Sequence, residues 1–88
     1  MKVDIIEVDT IAEKQLDKPL TLEQMQALVG GLIEVVYLNN DIDSPFKTRT
    51  MIVNEDGIGL ELPFNPLASA IAEQPIVGTV LVLDYELD

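Results

Sequence analysis

Residues 51–67 carry the sequence MIVNEDGIGLELPFNPL, and the fold that we predict is organised around this stretch. The apolar residues 51–53 lead into a polar turn, in which Asp56-Gly57 favours the positive φ angles of a tight hairpin. Beyond the turn, apolar side chains recur at a period of two, which is the side-chain period of a β-strand. These side chains are Ile58, Leu60 and Leu62. The stretch therefore predicts a β-hairpin.

A short helix is predicted directly after the hairpin. Asn65 is a favourable N-cap residue, and Pro66 suits the first helical position because the N–H that proline lacks has no helical partner there. Small and apolar residues follow as far as Pro75, which ends the predicted helix. Residues 76–83 then form the most apolar run of the chain, and their β-branched content favours a buried strand in the centre of a sheet.

The part of the chain before the hairpin predicts a helix between two strands. Residues 2–8 alternate loosely and favour the first strand, and residues 32–38 are rich in β-branched side chains and favour the second. Thr21 and Gln24 form a capping box for the helix between them, and Gly30-Gly31 supplies its end.

The fold class follows from the order of these elements. Residues 9–18 are spaced for a helical turn, and residues 48–53 resume extended structure before the hairpin. The main elements are strand, helix, strand, strand, strand, helix and strand, which indicates an α+β fold. We expect a single domain over residues 1–88. It should have a mixed or antiparallel sheet of about four to five strands, with two short helices packed on one face.

The chain is strongly acidic. Its formal net charge is −11, and all its cations precede residue 50, at Lys2, Lys14, Lys18, Lys47 and Arg49. Such a chain is repelled by nucleic acids and anionic membranes, and it is attracted to basic protein surfaces. We therefore expect no direct contact with nucleic acid or membrane. The acidity favours either a basic protein partner or solubility alone.

The composition also disfavours several kinds of chemistry. The chain contains no cysteine and no histidine, so it lacks thiolates, disulfides and the commonest general base. Ser44 and Ser69 have no activating base at a known spacing. No apolar stretch approaches the roughly 20 residues of a membrane-spanning helix, and acids interrupt the apolar first residues, so no signal peptide is expected. We expect a cytoplasmic protein without enzymatic activity or cofactor.

Two polar segments contain residues that could bind a metal or act as acid and base. Residues 39–44 are rich in oxygen ligands, but a calcium loop that began at Asp41 or Asp43 would lack the glycine of its sixth position and the glutamate of its twelfth. We therefore expect a solvated turn and no metal. Glu55 and Asp56 could form a carboxylate pair, but their segment has the composition of a hairpin tip, so a catalytic role is not expected.

Four segments, taken in order, resemble a known family. They are LVGG at residues 28–31, VNEDG at 53–57, PFNPLA at 63–68 and IVG at 76–78. The order of these segments resembles that of a family of small domains of unknown function, which are carried by bacteriophages, plasmids and conjugative elements. The similarity covers roughly residues 20–83. The resemblance implies an accessory protein of a mobile element in a bacterial cytoplasm. It provides no catalytic residues.

The leading functional hypothesis is a non-enzymatic acidic protein that docks on the basic nucleic-acid surface of a host defence or DNA-processing protein. The predicted contacts are acids of the hairpin and of the last residues: Glu55, Asp56, Glu61, Asp84, Glu86 and Asp88. Two alternatives stay open. One is a small-molecule or nucleotide sponge, with a pocket formed by the helix after Asn65 and the loop around Phe64. The other is an accessory protein that forms homo-oligomers through an exposed sheet edge.

Overall fold

The structure is a computed structural model that describes residues 1–38, 50–85 and 87. The described residues form five strands: β1 (Lys2–Ile6), β2 (Ile11–Gln15), β3 (Ile33–Tyr37), β4 (Thr50–Asn54) and β5 (Val80–Leu83). They form two helices: α1 (Leu22–Val29) and α2 (Pro66–Ala72). All strand pairs are antiparallel, and the strands lie in one sheet in the order β2-β1-β5-β4-β3. The predicted α+β fold is confirmed, and β5 is the central strand as predicted.

The two helices lie on opposite faces of the sheet, so the prediction that both pack on one face is wrong. Side chains alternate along β5: Leu81 and Leu83 pack with α1, whereas Val80 and Val82 pack with α2. Every residue of β4 and β5 is buried. A strand that is apolar on both faces needs a cover on each of them, which is why one helix on each side is the stable arrangement. We call the two sides the α1 face and the α2 face.

The predicted hairpin after β4 is also wrong. β4 pairs with β3 through Val53 and with β5 through Ile52, so neither of its edges is free for another strand. Residues 55–61 instead coil into successive turns, in which the N–H of Leu60 donates to the carbonyl of Asp56 at 2.9 Å. Ile58 is consequently 82% exposed. The local preference for a hairpin was overruled by strands that come from elsewhere in the chain.

Gly57 has a different role from the one predicted. Its φ angle lies outside the left-handed region, so no turn geometry requires a glycine there. A Cβ atom at this position would instead lie 2.8 Å from Cγ2 of Val77. Glycine is therefore required because the segment after α2 passes directly over the backbone.

The segment 9–18 contains the strand β2 rather than a helical turn. β1 and β2 make a hairpin, in which the N–H of Glu7 donates to the carbonyl of Thr10 at 2.8 Å. The polar residues between the two strands allow this tight reversal. Pairing with β1 then outweighs the weak helical spacing that the sequence suggested.

Helix α1 begins and ends as predicted. The Thr21 hydroxyl accepts the N–H of Gln24 at 3.1 Å, and Oε1 of Gln24 accepts the N–H of Thr21 at 2.9 Å, which completes the capping box. Gly30 ends the helix with a φ angle of 86°. Met25 and Val29 are buried on the α1 face.

Replacement of Thr21 by alanine should lower the free energy of unfolding by about 1 kcal/mol, because a helical N–H then loses its capping partner. Urea denaturation of the purified protein measures this difference. Gln24→Ala is the matched control: it removes only the reciprocal bond and should cost less. Equal stabilities of the wild type and Thr21→Ala would show that the cap contributes nothing.

Helix α2 confirms the predicted start at Asn65 and Pro66. The Asn65 side chain is fully buried and accepts the N–H of Ala68 at 3.1 Å. The helix ends at Glu73, which adopts the left-handed conformation with a φ angle of 57° just before the predicted stop at Pro75. In the described part of the chain, no helix is long and apolar enough to span a bilayer.

Candidate functional site

A cleft of about 280 Å³ opens on the α2 face beside the ends of β3 and β4. Apolar side chains form part of its lining, among them Val36, Val53 and Ile76. Three acids also line it, and they are Glu34, Glu55 and Asp56. The rest of the lining is formed by Asn54, Gly57, Ile58, Gly59, Gln74, Pro75 and Val77. We call this feature the acidic cleft.

The pairing of β3 with β4 brings the three acids together. Glu34 lies opposite Val53, and two residues further along the ladder the N–H of Glu55 donates to the carbonyl of Leu32 at 2.8 Å. Since side chains two residues apart on a strand share a face, Glu34 and Glu55 are diagonal neighbours on the α2 face. Both carboxylates are carried by exposed residues.

The third acid is held in place by Asn54. Oδ1 of Asn54 accepts the N–H of Asp56 at 2.8 Å, and Nδ2 of the same residue donates to the carbonyl of Val29 at 3.2 Å. Asn54 is only 6% exposed. One buried amide thus ties the loop that carries Glu55 and Asp56 to the end of α1, and it gives the mouth of the cleft a fixed shape.

The lysines of the described residues lie on one side of the sheet. The lysines in the described residues lie in or just after the β1–β2 hairpin: Lys2, Lys14 and Lys18. Nζ of Lys2 forms an ion pair with Oε2 of Glu13 at 3.3 Å, at that same side. The acidic cleft lies at the opposite side, next to β3. Lys47 and Arg49 lie outside the described residues. The hairpin side also carries Asp4, Glu7, Asp9, Glu13 and Asp17, so the lysines do not make that side positive.

The structure separates the six acids that the sequence predicted as partner contacts. Glu55 and Asp56 lie in the acidic cleft, and Glu61 belongs to the same exposed loop but is not among the residues that line it. Asp84 lies at the other end of the sheet, because Leu83 pairs with Thr50 at the start of β4. The length of β4 separates the two ends by about 13 Å. Glu86 and Asp88 lie outside the described residues.

Asp84 also has a partner within the fold. Its Oδ1 accepts the N–H of Lys2 at 2.8 Å, and its own N–H donates to the carbonyl of Lys2 at 3.3 Å. These bonds extend the pairing of β1 with β5 by one residue. The side chain thus contributes to the sheet as well as to the surface charge.

Glu34 is the site residue that sequence reasoning missed. In the sequence it stands inside an apolar strand, and it lies about twenty residues before the acids that it joins. The sequence signal that could have identified it is a charged side chain inside a β-branched run. Such a residue has to face solvent, which marks the side of β3 that carries the cleft.

Neither serine nor metal chemistry finds support among the described side chains. The Ser69 hydroxyl donates to the carbonyl of Asn65 at 2.7 Å and accepts the N–H of Ile76 at 2.8 Å, so it closes α2 onto the segment that follows. Residues 1–38, 50–85 and 87 contain no group of three acids positioned to hold a metal ion. Residues 39–44, which include Ser44 and for which a solvated turn without a metal is predicted, lie outside the described residues.

The pocket expected around Phe64 is partly filled by the fold itself. The N–H of Ala68, which an anion at the start of α2 would need, already donates to the Asn65 side chain. Phe64 pairs with Val77 in an isolated bridge, and its side chain is 55% exposed. These contacts leave the acidic cleft as the better candidate for binding.

Comparison with known proteins identifies a family. The family model described as a domain of unknown function, DUF3846, matches residues 1–87. This match confirms the predicted resemblance to a family of unknown function and extends it over nearly the whole chain. Neither the curated proteins nor the solved structures gave a significant match.

Proposed function

The chain belongs to the DUF3846 family of domains of unknown function, and from that premise we propose that it is a non-enzymatic acidic protein that binds the basic surface of another protein. In this proposal the acidic cleft receives a lysine or arginine side chain of the partner. The observation that carries the proposal is the cleft itself, which is lined by three exposed acids together with the apolar side chains of Val36, Val53 and Ile76.

The lining of the cleft suits a long cationic side chain. The aliphatic part of a lysine or arginine can pack against Val36, Val53 and Ile76, while its charged end reaches the carboxylates at the mouth. A nucleotide or another anion would meet three negative charges there. The net charge of −11 would also speed the approach of a basic partner and orient it.

The biological context that we propose is a phage or another mobile element in a bacterial cytoplasm. The partner class that fits the charge is a host defence or DNA-processing protein, whose nucleic-acid surface carries the lysines and arginines that the cleft would bind. The protein would then act as an inhibitor by presenting carboxylates where its partner expects phosphates. This context comes from the resemblance of the four sequence segments, and the charge is compatible with it.

The test is capture from a bacterial lysate by three immobilised proteins. They are the wild type, a cleft variant with Glu34→Gln, Glu55→Gln and Asp56→Asn, and a control variant with Asp9→Asn, Asp17→Asn and Glu23→Gln. The two variants have the same net charge, so only the position of the lost charges differs. We expect wild type and control to retain a nucleic-acid-binding protein that elutes at high salt and is displaced by duplex DNA.

For the captured protein, we expect the cleft variant to bind about tenfold or more weakly than the wild type, and the control to bind within about twofold of it. The dependence of affinity on salt should also fall in the cleft variant. Equal binding by all three proteins would overturn the proposed site. Capture that duplex DNA does not displace would overturn the proposed partner class.

A further inference from the structure

β3 is the outermost strand on the side of the acidic cleft, and its outer edge is not paired with any described residue. The N–H of Glu55 donates to the carbonyl of Leu32, so the peptide groups of Leu32 point towards β4. In an antiparallel pair this direction alternates from residue to residue. The peptide groups of Ile33, Val35 and Tyr37 therefore point outwards, where no strand in the described part of the chain pairs with them.

The two edge strands of the sheet, β2 and β3, differ in how well they are suited to pair with an additional strand. β2 at the other edge is exposed throughout and carries Glu13 and Lys14 side by side, and such charges discourage edge pairing. β3 has the sequence IEVVY, with β-branched and aromatic residues and a single acid. Its Tyr37 side chain is 78% exposed. β3 is therefore the edge suited to pairing.

A strand added to β3 would deliver side chains directly to the acidic cleft. Residues opposite each other in a pair project on the same face, with Cβ atoms about 5 Å apart. The residue opposite Glu34 would lie on the α2 face beside the cleft, as would the residue opposite Val36. Residues opposite Val35 and Tyr37 would lie on the α1 face against apolar side chains.

We propose that β3 binds an extended segment of the partner as an additional antiparallel strand, in which basic residues that enter the acidic cleft alternate with β-branched or aromatic residues. This inference rests on the proposed function, and it adds the form in which the partner binds. Backbone hydrogen bonds to Ile33, Val35 and Tyr37 supply affinity that does not depend on the partner's sequence, and the cleft supplies the selection for a basic residue.

Charge favours a basic partner strand over a second copy of the chain at the edge of β3. Two copies paired through β3 would each carry a net charge of −11 and would place two acidic clefts on one continuous sheet. A basic strand neutralises Glu34, whereas a second copy adds acids to the same region. The arrangement of charges therefore favours a basic partner.

The probe is a fluorescent seven-residue peptide of alternating lysine and valine, with lysine at both ends. In the proposed register, lysines lie opposite Glu34 and Val36, and the N–H groups of the valines point towards β3. N-methylation of the valines should weaken binding about tenfold or more, and N-methylation of the interior lysines should change it by less than about threefold. Equal affinities of the two methylated peptides would overturn the proposal, since the two peptides have the same amino-acid sequence and charge and differ in which N–H groups are blocked.

Two variants of the protein test the edge itself. Tyr37→Pro removes an outward-pointing N–H and leaves the β3–β4 hydrogen bonds intact, while Tyr37→Thr keeps that N–H. Tyr37→Pro should weaken peptide binding about tenfold or more, and Tyr37→Thr should stay within about threefold of the wild type. Melting temperatures show whether both variants are folded. If Tyr37→Pro does not fold, the methylated peptides still test whether the partner pairs with β3.

The failure of this inference can be told apart from the failure of the proposed function. If Tyr37→Pro captures the lysate protein normally while the cleft variant does not, the added strand is wrong and the acidic binding site stands. If neither variant affects capture, both are wrong. Sedimentation of the purified wild type is the remaining check: a dimer that Tyr37→Pro dissociates would assign the edge to a second copy and would overturn the proposal.

Discussion

Replacement of Asn65 by alanine should lower the free energy of unfolding by about 3–4 kcal/mol, the largest effect that we expect from any single polar residue. The side chain is fully buried, and its Nδ2 donates to the carbonyls of Ile6 at 3.1 Å and Gly78 at 2.8 Å. Its Oδ1 also caps α2 through Ala68. Alanine removes all three bonds at once and leaves the buried N–H of Ala68 without its partner.

Urea denaturation of Asn65→Ala, Asn65→Asp and Thr21→Ala measures this effect. Asn65→Asp keeps the acceptor for Ala68 but loses both donors and turns a carboxylate towards two carbonyl oxygens, so it should be at least as unstable as Asn65→Ala. Thr21→Ala removes an exposed cap of the same kind and provides the scale. If Asn65→Ala were no more destabilised than Thr21→Ala, the buried hydrogen bonds to Ile6 in β1 and to Gly78 would contribute nothing to the free energy of unfolding.

Replacement of Gly78 by alanine should lower the free energy of unfolding by about 3 kcal/mol. Two causes add up at this position. The φ angle of 77° lies in the left-handed region, which disfavours any Cβ atom. The new Cβ would also lie 2.7 Å from Cδ1 of Leu62, and Leu62 would have to move to make room for it.

Gly30 supplies a matched control for Gly78. Its φ angle is 86°, but a Cβ atom built there meets nothing within 4 Å. Gly30→Ala should therefore cost only the backbone strain, about 1–2 kcal/mol. Leu62→Ala should cost less stability in the Gly78→Ala background than in the wild type, because it removes the clash with the new Cβ atom. Equal losses for Gly30→Ala and Gly78→Ala would contradict the close approach of Leu62.

The parts of the fold that could be predicted from the sequence are those in which local chemistry and tertiary structure agree. The capping box of Thr21 and Gln24 and the start of α2 at Asn65 depend on neighbouring residues alone. The central position of β5 follows from its apolar composition, because only a strand that is covered on both faces needs such a run. In each case the residues that determine the structure lie within one short segment of the chain.

The errors arose where distant segments decided the outcome. Asp56-Gly57 has the composition of a hairpin turn, but both edges of β4 are taken by β3 and β5, so no hairpin partner can pair there. The assignment of both helices to one face failed for a related reason, since periodicity shows that a strand is buried on both sides but does not show which helix covers which side.

The candidate site shows the same division. Glu55 and Asp56 could be named from the sequence because they are adjacent acids in a polar turn. Glu34 joins them only through the register of β3 against β4, and Ile76 only through the path of the chain after α2. Asp84 could not be separated from them without knowing that β4 and β5 run in opposite directions.

The strand order has a consequence for how the chain reaches its native state. The hairpin of β1 with β2 and the pair of β3 with β4 can each form early, but among the described strands their hydrogen-bonded pairing is joined only through β5, which follows all of them in the chain. Val3 must find Leu83 across nearly the full sequence before the sheet is continuous. Because such non-local pairing slows folding, we expect a rate-limiting step in which β5 inserts between two preformed halves. Until then, both halves present unpaired edges, and this is the stage at which the protein is most prone to aggregate.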